Sequence, residues 1–362
     1  MILKKTITSL VVIATLLACT KKHNTIIKSF CYWKTTSNST INDSLIKQLH
    51  LQHLYVRLFD VDWNPYTNSA LPVASLHELD FASAKINITP SIFITNNTML
   101  LANKAQLDTL ALNISVRITV LLNKFAHDNA QRKGYGLNVD SILAIEKTNL
   151  QVNDLLIDCD WSEKSKDNYF YFLTQLQQQT PNYKVSATIR LWQYKYYTKA
   201  GVPPVNRGLL MCYNMSSVTD YSTRNSIGTS KELKEYITHS NYTLPLDVAL
   251  PLFSWSAVFR RGEFKGILSN DIDFKNDTLR FKKTADNNYL LTDDVLIGAT
   301  YYRNGDEIRI EKITDDELNT MIDVVSNHLQ IDAKTKITFF SLDEKYINDY
   351  GFKKISNYYA RF

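Results

Sequence analysis

The chain has 362 residues, and its 41 Lys and Arg against 36 Asp and Glu give a formal charge of +5. Removing Lys4 and Lys5 with a cleaved leader takes two charges away and leaves +3, too small and too scattered an excess to point to nucleic acid. Only 10 glycines serve the whole length, and no Gly-rich loop follows any candidate strand. That weighs against an open doubly wound nucleotide-binding sheet.

Residues 1–22 read as a leader with a short tether. Lys4 and Lys5 are basic, Ile7 to Leu17 is apolar, and the stretch closes on Leu16-Leu17-Ala18-Cys19. The apolar run is too short for a permanent span, and the closing tetrapeptide resembles a bacterial lipobox. An ordinary cleaved signal with an incidental cysteine is the alternative. Lipidated Cys19 would attach the protein to a membrane of the bacterial cell envelope, and no other stretch is expected to span it. The basic Thr20-Lys21-Lys22-His23 that follows favours a periplasm-facing position over the cell surface.

Residues 23–362 alternate short apolar runs with helical stretches, a pattern that predicts a parallel sheet with crossover helices. Strand candidates are Ser29–Trp33, His53–Phe59, Ile88–Ile94, Leu155–Asp160, Lys184–Leu191, Gly208–Asn214, Pro245–Phe253 and Lys336–Leu342. Helical candidates are Asp43–His50, Ala105–His127, Lys166–Gln179 and Lys231–His239. Between the seventh and eighth strands, about 260–331, alternating segments predict a small β-rich insertion. A helix at Asp315–Leu329 follows, opened by a Thr314 to Glu317 capping box. The expected fold is α/β: a single (β/α)8 TIM barrel carrying that insertion.

Cys31, Cys159 and Cys212 sit in apolar strand-like runs without metal or disulfide spacing, and read as buried small hydrophobes facing away from the functional side chains. The histidines are scattered. His50 and His53 are the nearest pair, and a surface helix end accounts for them better than a metal does. No metal and no organic cofactor is indicated.

Chemistry gathers at the C-terminal ends of the strands, where barrels build their sites. Leu155-Leu-Ile-Asp-Cys-Asp-Trp161 ends in Asp158 and Asp160, and strand alternation turns both the same way, about 6.5–7 Å apart. Other strand ends supply Trp33, Arg57, Asp60, Arg190, Trp192, Tyr213, Asn214 and Trp255. Acids, arginines and aromatics in that arrangement suit a sugar-binding cleft. A plainer account stays open: the acidic pair binds Arg57 or Arg190 as structural ion pairs, and Tyr213 and Trp255 cap the core.

The Ile-Asp-Cys-Asp-Trp segment resembles the fourth-strand signature of glycoside hydrolase family 18, the chitinase-like barrels, whose pattern runs Asp-x-x-Asp-x-Asp-x-Glu. Met211-Cys-Tyr213-Asn214 is similar to that family's sixth-strand motif, and Leu250-Pro-Leu-Phe-Ser-Trp255 to its seventh. The resemblance implies substrate-assisted, retaining hydrolysis, in which the acetamido oxygen of an N-acetylated sugar is the nucleophile. It implies Asp160 as the residue orienting that group, Asp158 as its inner support and Tyr213 as the holder of its carbonyl. The family's acid position is Ser162, whose hydroxyl cannot donate a proton near neutral pH. Glu163 is then a displaced acid, or Asp160 takes the role with its pKa raised by Asp158, or the site binds glycan without cleaving it. A fourth possibility makes the barrel an envelope scaffold whose insertion captures a protein partner.

Overall fold

The computed structural model describes residues 25–362 except 35–39, 42, 82–85, 135–138, 151, 239–241, 269–273, 275 and 299. The leader and Cys19 lie outside the described residues. Eight parallel strands form a closed ring: β1 (Ile27–Tyr32), β2 (His53–Asn64), β3 (Asn87–Ile94), β4 (Asp154–Asp158), β5 (Lys184–Arg190), β6 (Arg207–Met211), β7 (Leu246–Pro251) and β8 (Lys336–Phe340). Closure runs through β1, which pairs with β8 at Ile27↔Lys336 and with β2 at Ser29↔His53. This is the expected TIM barrel, and every strand candidate supplies one of its staves.

Strand alternation sorts side chains to the two faces of the ring. Phe30, Leu54, Ile92, Leu155, Ile157, Val185, Ile189, Leu210, Leu250 and Phe339 are fully buried, the outward-facing set that packs against the helices. Among those helices, Lys166–Gln179 has the bounds expected, whereas the helix expected at Ala105–His127 runs from Lys104 to Lys133. Asn103 and Gln106 close a capping box at its start. By length and composition alone this helix could cross a membrane, contrary to the expectation that no stretch beyond the leader would. In the fold it lies along the barrel and buries Leu107, Leu110, Ile114, Ile118 and Phe125.

The inward face is polar at the N-terminal end of the ring. At the N-terminal end of the ring His53 bonds Ser29 Oγ and Thr89 Oγ1, both at 2.8 Å. His53 is therefore not at a surface helix end: it is buried in β2, and burial holds its pKa well below the usual imidazole value. Beside it Tyr55 Oη donates to Asp247 Oδ2 at 2.8 Å, and Asp247 Oδ1 takes the Lys336 amide at 2.7 Å. Packing of polar groups at this end leaves the opposite end of the ring free for a site.

Between β7 and β8 the chain forms an antiparallel five-stranded sheet, in the order Glu263–Leu268, Ser254–Arg260, Glu307–Lys312, Asn288–Leu291, Phe281–Ala285. Its first strand begins at Ser254, so the departure from the barrel comes directly after Phe253. The helix Asp315–His328 returns the chain to β8. Its cap is half of the expected box. Thr314 accepts from the Glu317 amide at 3.3 Å, but the Glu317 carboxylate turns to the Ser230 amide instead.

Candidate functional site

The C-terminal ends of the strands surround a cavity of about 820 Å³ that reaches down into the ring. Its depth follows from the small inward residues Cys31 and Thr188, which leave the upper part of the ring unfilled. Cys31 thus faces the site, contrary to the expectation that all three cysteines point away. Cys159 and Cys212 are buried and do not line the cavity.

Aromatic rings make the floor. Phe340, at the end of β8, has its ring centroid 5.6 Å from Trp33, 5.2 Å from Tyr213 and 5.5 Å from Phe253. Phe253 in turn meets Trp255 edge-on at 5.1 Å. Rings at these separations and tilts gain from quadrupole-favoured contact while offering faces to a ligand. The Arg57 guanidinium lies 5.5 Å from the Trp33 ring centroid, a cation–π distance.

On the barrel side the cavity is lined by four charged groups, Asp158, Asp160, Arg190 and Arg57. Asp158 is buried and its Oδ1 accepts from Thr188 Oγ1 at 2.7 Å. Burial first, and then the charge of Asp160, push the Asp158 carboxyl up to about 6. Asp160 lies two residues on, at the mouth, and both of its oxygens take guanidinium bonds from Arg190, through Nε and through Nη2 at 2.6 Å. Those bonds, outweighing burial, raise the Arg190 pKa. The raised carboxyl is Asp158, which is buried and hydrogen-bonded to the Thr188 hydroxyl, while Asp160 holds the Arg190 guanidinium through both oxygens.

Arg57 pairs with Asp60 rather than with the β4 acids. Its Nε reaches Asp60 Oδ1 at 2.7 Å, and its Nη2 bonds Oδ2. The two are three residues apart and would oppose each other on a regular strand. A bulge between Arg57 and Phe59, where β2 slips against β3, brings Asp60 level with the inward Phe93. Asp60 is buried beneath Arg57 and does not line the cavity.

Ser162, at the position where the resemblance places the acid, and the acid candidate Glu163 are both outside the cavity. After Trp161 the chain turns at once into the helix Lys166–Gln179, because Trp161 is fully buried, donating Nε1–H to the Ala200 carbonyl at 3.0 Å. Ser162 joins that turn, its amide bonding Ser165 Oγ at 2.9 Å. Glu163 is exposed on the turn and lines no part of the cavity. The expectation that Glu163 supplies a displaced acid is not met: loop geometry carries it outward.

Tyr213 is buried in the wall, and burial with the nearby Cys31 and Asp158 pushes its hydroxyl pKa well up. Asn214 shares the cavity although simple alternation would turn it outward. β6 ends at Met211, and Asn214 adopts a left-handed φ of 54° that re-aims it. Trp192, in the short helix Leu191–Lys195, lines a side recess shared with Asp160, Arg190, Tyr213 and Asn214. Trp255 belongs to the insertion rather than to the seventh barrel strand, and its Nε1 donates to Glu311 Oε2 at 2.9 Å. Glu311, buried, also takes the Ser226 amide at 2.6 Å and bonds Arg309 Nε at 2.8 Å.

Lining residues that the sequence reading did not single out include Phe340, Thr188 and Lys312. Phe340 was legible in principle, since alternation from the outward Phe339 turns it inward. Among the described residues no group of three or more His, Cys, Asp or Glu could hold a metal ion.

No protein-family model matches the chain, and no curated protein matches it. Among solved structures it is similar to a fungal endo-beta-N-acetylglucosaminidase from glycosyl hydrolase family 18, at 10% identity and a TM-score of 0.40 over 92% of this chain and 95% of that one. It is also similar to the catalytic domain of a hyperthermophilic chitinase from Pyrococcus furiosus, at 11% identity and a TM-score of 0.36 over 90% and 87%. The Ignisphaera aggregans GH53 catalytic domain matches at 8% identity and a TM-score of 0.37 over 89% and 86%.

Proposed function

We propose that this protein binds, without cleaving, a glycan containing N-acetylated hexosamine in the aromatic-floored cavity at the mouth of its barrel. The observation that carries the reading is the state of the acids. Asp160 is clamped by Arg190, Asp158 is buried below it, Ser162 is tied into a helix cap and Glu163 points outside. None of them is placed to hand a proton to a leaving oxygen at the cavity mouth. The motif around Tyr213 and Asp160 supports the N-acetyl preference, by its resemblance to the chitinase-like barrels. Aromatic faces with polar groups at their edges are the usual means of holding a pyranose. Lipidation at Cys19 would place this binding barrel on a membrane of the bacterial envelope, facing the periplasm.

A second reading keeps hydrolysis, with Asp158 as the acid. Its raised pKa of about 6 suits a proton donor, but a carboxyl beneath Asp160 reaches only a sugar sunk deep in the ring. Calorimetric titration of the protein beginning after Cys19 with chitotriose separates binding from its absence. Saturable heat that falls at least tenfold in affinity on Trp33→Ala supports the binding reading. No saturable heat with chitotriose or with peptidoglycan fragments would sink it.

A further inference from the structure

The insertion is joined to the barrel through a buried pair of charges, Arg309 and Glu311. In the five-stranded sheet Trp255 stands opposite Glu311, and Ala257 opposite Arg309, so these four side chains share one face. The other face, at Val258 and Ile308, is the insertion's own apolar core.

Both charged groups reach across to the loop that follows β6. Arg309 donates through Nη1 to the carbonyls of Asp220 and Tyr221, at 3.0 and 3.3 Å, and through Nη2 to that of Val218 at 3.1 Å. Glu311 Oε1 takes Arg309 Nε at 2.8 Å. Glu311 Oε2 takes the Ser226 amide at 2.6 Å, the Ser226 hydroxyl, and Trp255 Nε1 at 2.9 Å. One carboxylate oxygen thus holds both a loop and a ring of the cavity floor. The loop begins at Asn214, which lines the cavity as Trp255 does, whereas Glu311 itself does not.

Burying two charges is costly, and apolar residues of similar volume often hold two elements together as well. What they do not supply is direction. An indole edge packed only on carbon turns at small cost. An indole N–H bonded to a buried oxygen is fixed, because turning away leaves a donor and an acceptor unpaired and desolvated.

We infer that Glu311 is a positioning residue for the ligand: it sets the tilt of the Trp255 ring in the cavity floor and keeps that ring in register with the loop that carries Asn214. The inference rests on the glycan-binding reading and adds to it a residue that touches no ligand.

The test titrates chitotriose by calorimetry into the protein beginning after Cys19, as native, Glu311→Gln, Trp255→Phe and the double variant. Glutamine keeps the volume of Glu311 and loses one acceptor oxygen; phenylalanine keeps a ring and loses the N–H. Each single change should weaken binding severalfold. The double variant should bind as Trp255→Phe does, since both changes cut the same link. In parallel, deuterium exchange of the indole N–H groups of the five tryptophans is followed by NMR, Trp255 being the signal absent from Trp255→Phe. That signal should exchange at least about tenfold faster in Glu311→Gln, as loss of a hydrogen bond to a charged acceptor requires. The Trp161 signal, bonded to the Ala200 carbonyl at 3.0 Å in the barrel, should keep its rate. Unchanged affinity in Glu311→Gln, or losses that add in full in the double variant, would overturn the inference. Equal acceleration of both signals would overturn it too, since that marks a general loosening of the fold. Were Glu311→Gln unfolded by circular dichroism, Trp255→Phe still decides, because it leaves Glu311 and Arg309 paired: unchanged affinity there would overturn the inference. No binding of chitotriose or peptidoglycan fragments by the native protein, with the exchange rates as expected, would overturn the glycan reading alone and support Glu311 as the residue that places Trp255.

Discussion

Replacing Asp158 by Asn tests the electrostatics of the site without emptying it. The amide keeps the shape and still accepts the Thr188 hydroxyl now 2.7 Å from Oδ1, but it cannot ionise. In the folded protein the Asp158 pKa is raised from the ordinary 3.8 to about 6. Between those values the folded state holds a proton that the unfolded state has released, so stability falls as pH rises. Its contribution is fully present below about pH 4 and lost once the pH has passed about 6. A shift of about two units corresponds to on the order of 3 kcal/mol. His53 works the other way: burial and then Lys336 hold its pKa well down, so its contribution is present above the unfolded imidazole pKa and lost as pH falls. The two oppose each other in the native curve, and only the difference between native protein and Asp158→Asn isolates the carboxyl. Urea unfolding of both proteins from pH 4 to pH 8 gives that difference. The variant should match the native protein near pH 4 and exceed it by up to about 3 kcal/mol at pH 7 to 8. A difference that does not change with pH would refute the assignment of a raised carboxyl to Asp158.

Three further outcomes are expected. Arg190→Leu frees Asp160 at the cavity mouth; because Asp160 is 44% exposed, the unfolding cost should stay under about 1 kcal/mol, while chitotriose affinity changes measurably. Glu311→Ala leaves buried Arg309 without its carboxylate and Trp255 without its acceptor, and chemical denaturation should show a loss of about 3–5 kcal/mol. Phe340→Ala removes the ring that touches Trp33, Tyr213 and Phe253, and calorimetry should show glycan affinity reduced at least tenfold.

The barrel was legible because its strands carry their signal locally. Ile157, Leu155 and their counterparts face helices on one side, and the polar interior on the other still sits in short apolar runs bounded by turns. The position of Asp158 was legible for the same reason, since period-two alternation turns it inward with Leu156, whereas Asp160 lies two residues past the end of β4. What escaped depends on contacts distant in sequence. The bulge that turns Asp60 toward Arg57 is a property of the β2–β3 pairing, and no pattern within β2 announces it. Glu163 was carried outward by the burial of Trp161 against Tyr169 and Ala200, partners that lie in the following helix and in the short helix Tyr197–Ala200 beyond β5. The choice between Arg57 and Arg190 as partner for Asp160 is likewise set by the spacing of β4 and β5 in the ring. His53 was misread because its place beside His50 suggested a shared helix end, whereas His53 is itself the first residue of β2.

Product analysis tests the central claim most directly. The protein beginning after Cys19 would be held with a saturating concentration of chitooligosaccharide at pH 6 and the mixture followed by mass spectrometry, alongside Asp158→Asn. Intact oligosaccharide in both samples, with binding retained, is the predicted result. Shortened oligosaccharide from the native protein, absent with Asp158→Asn, would contradict it and make Asp158 the acid of a hydrolase.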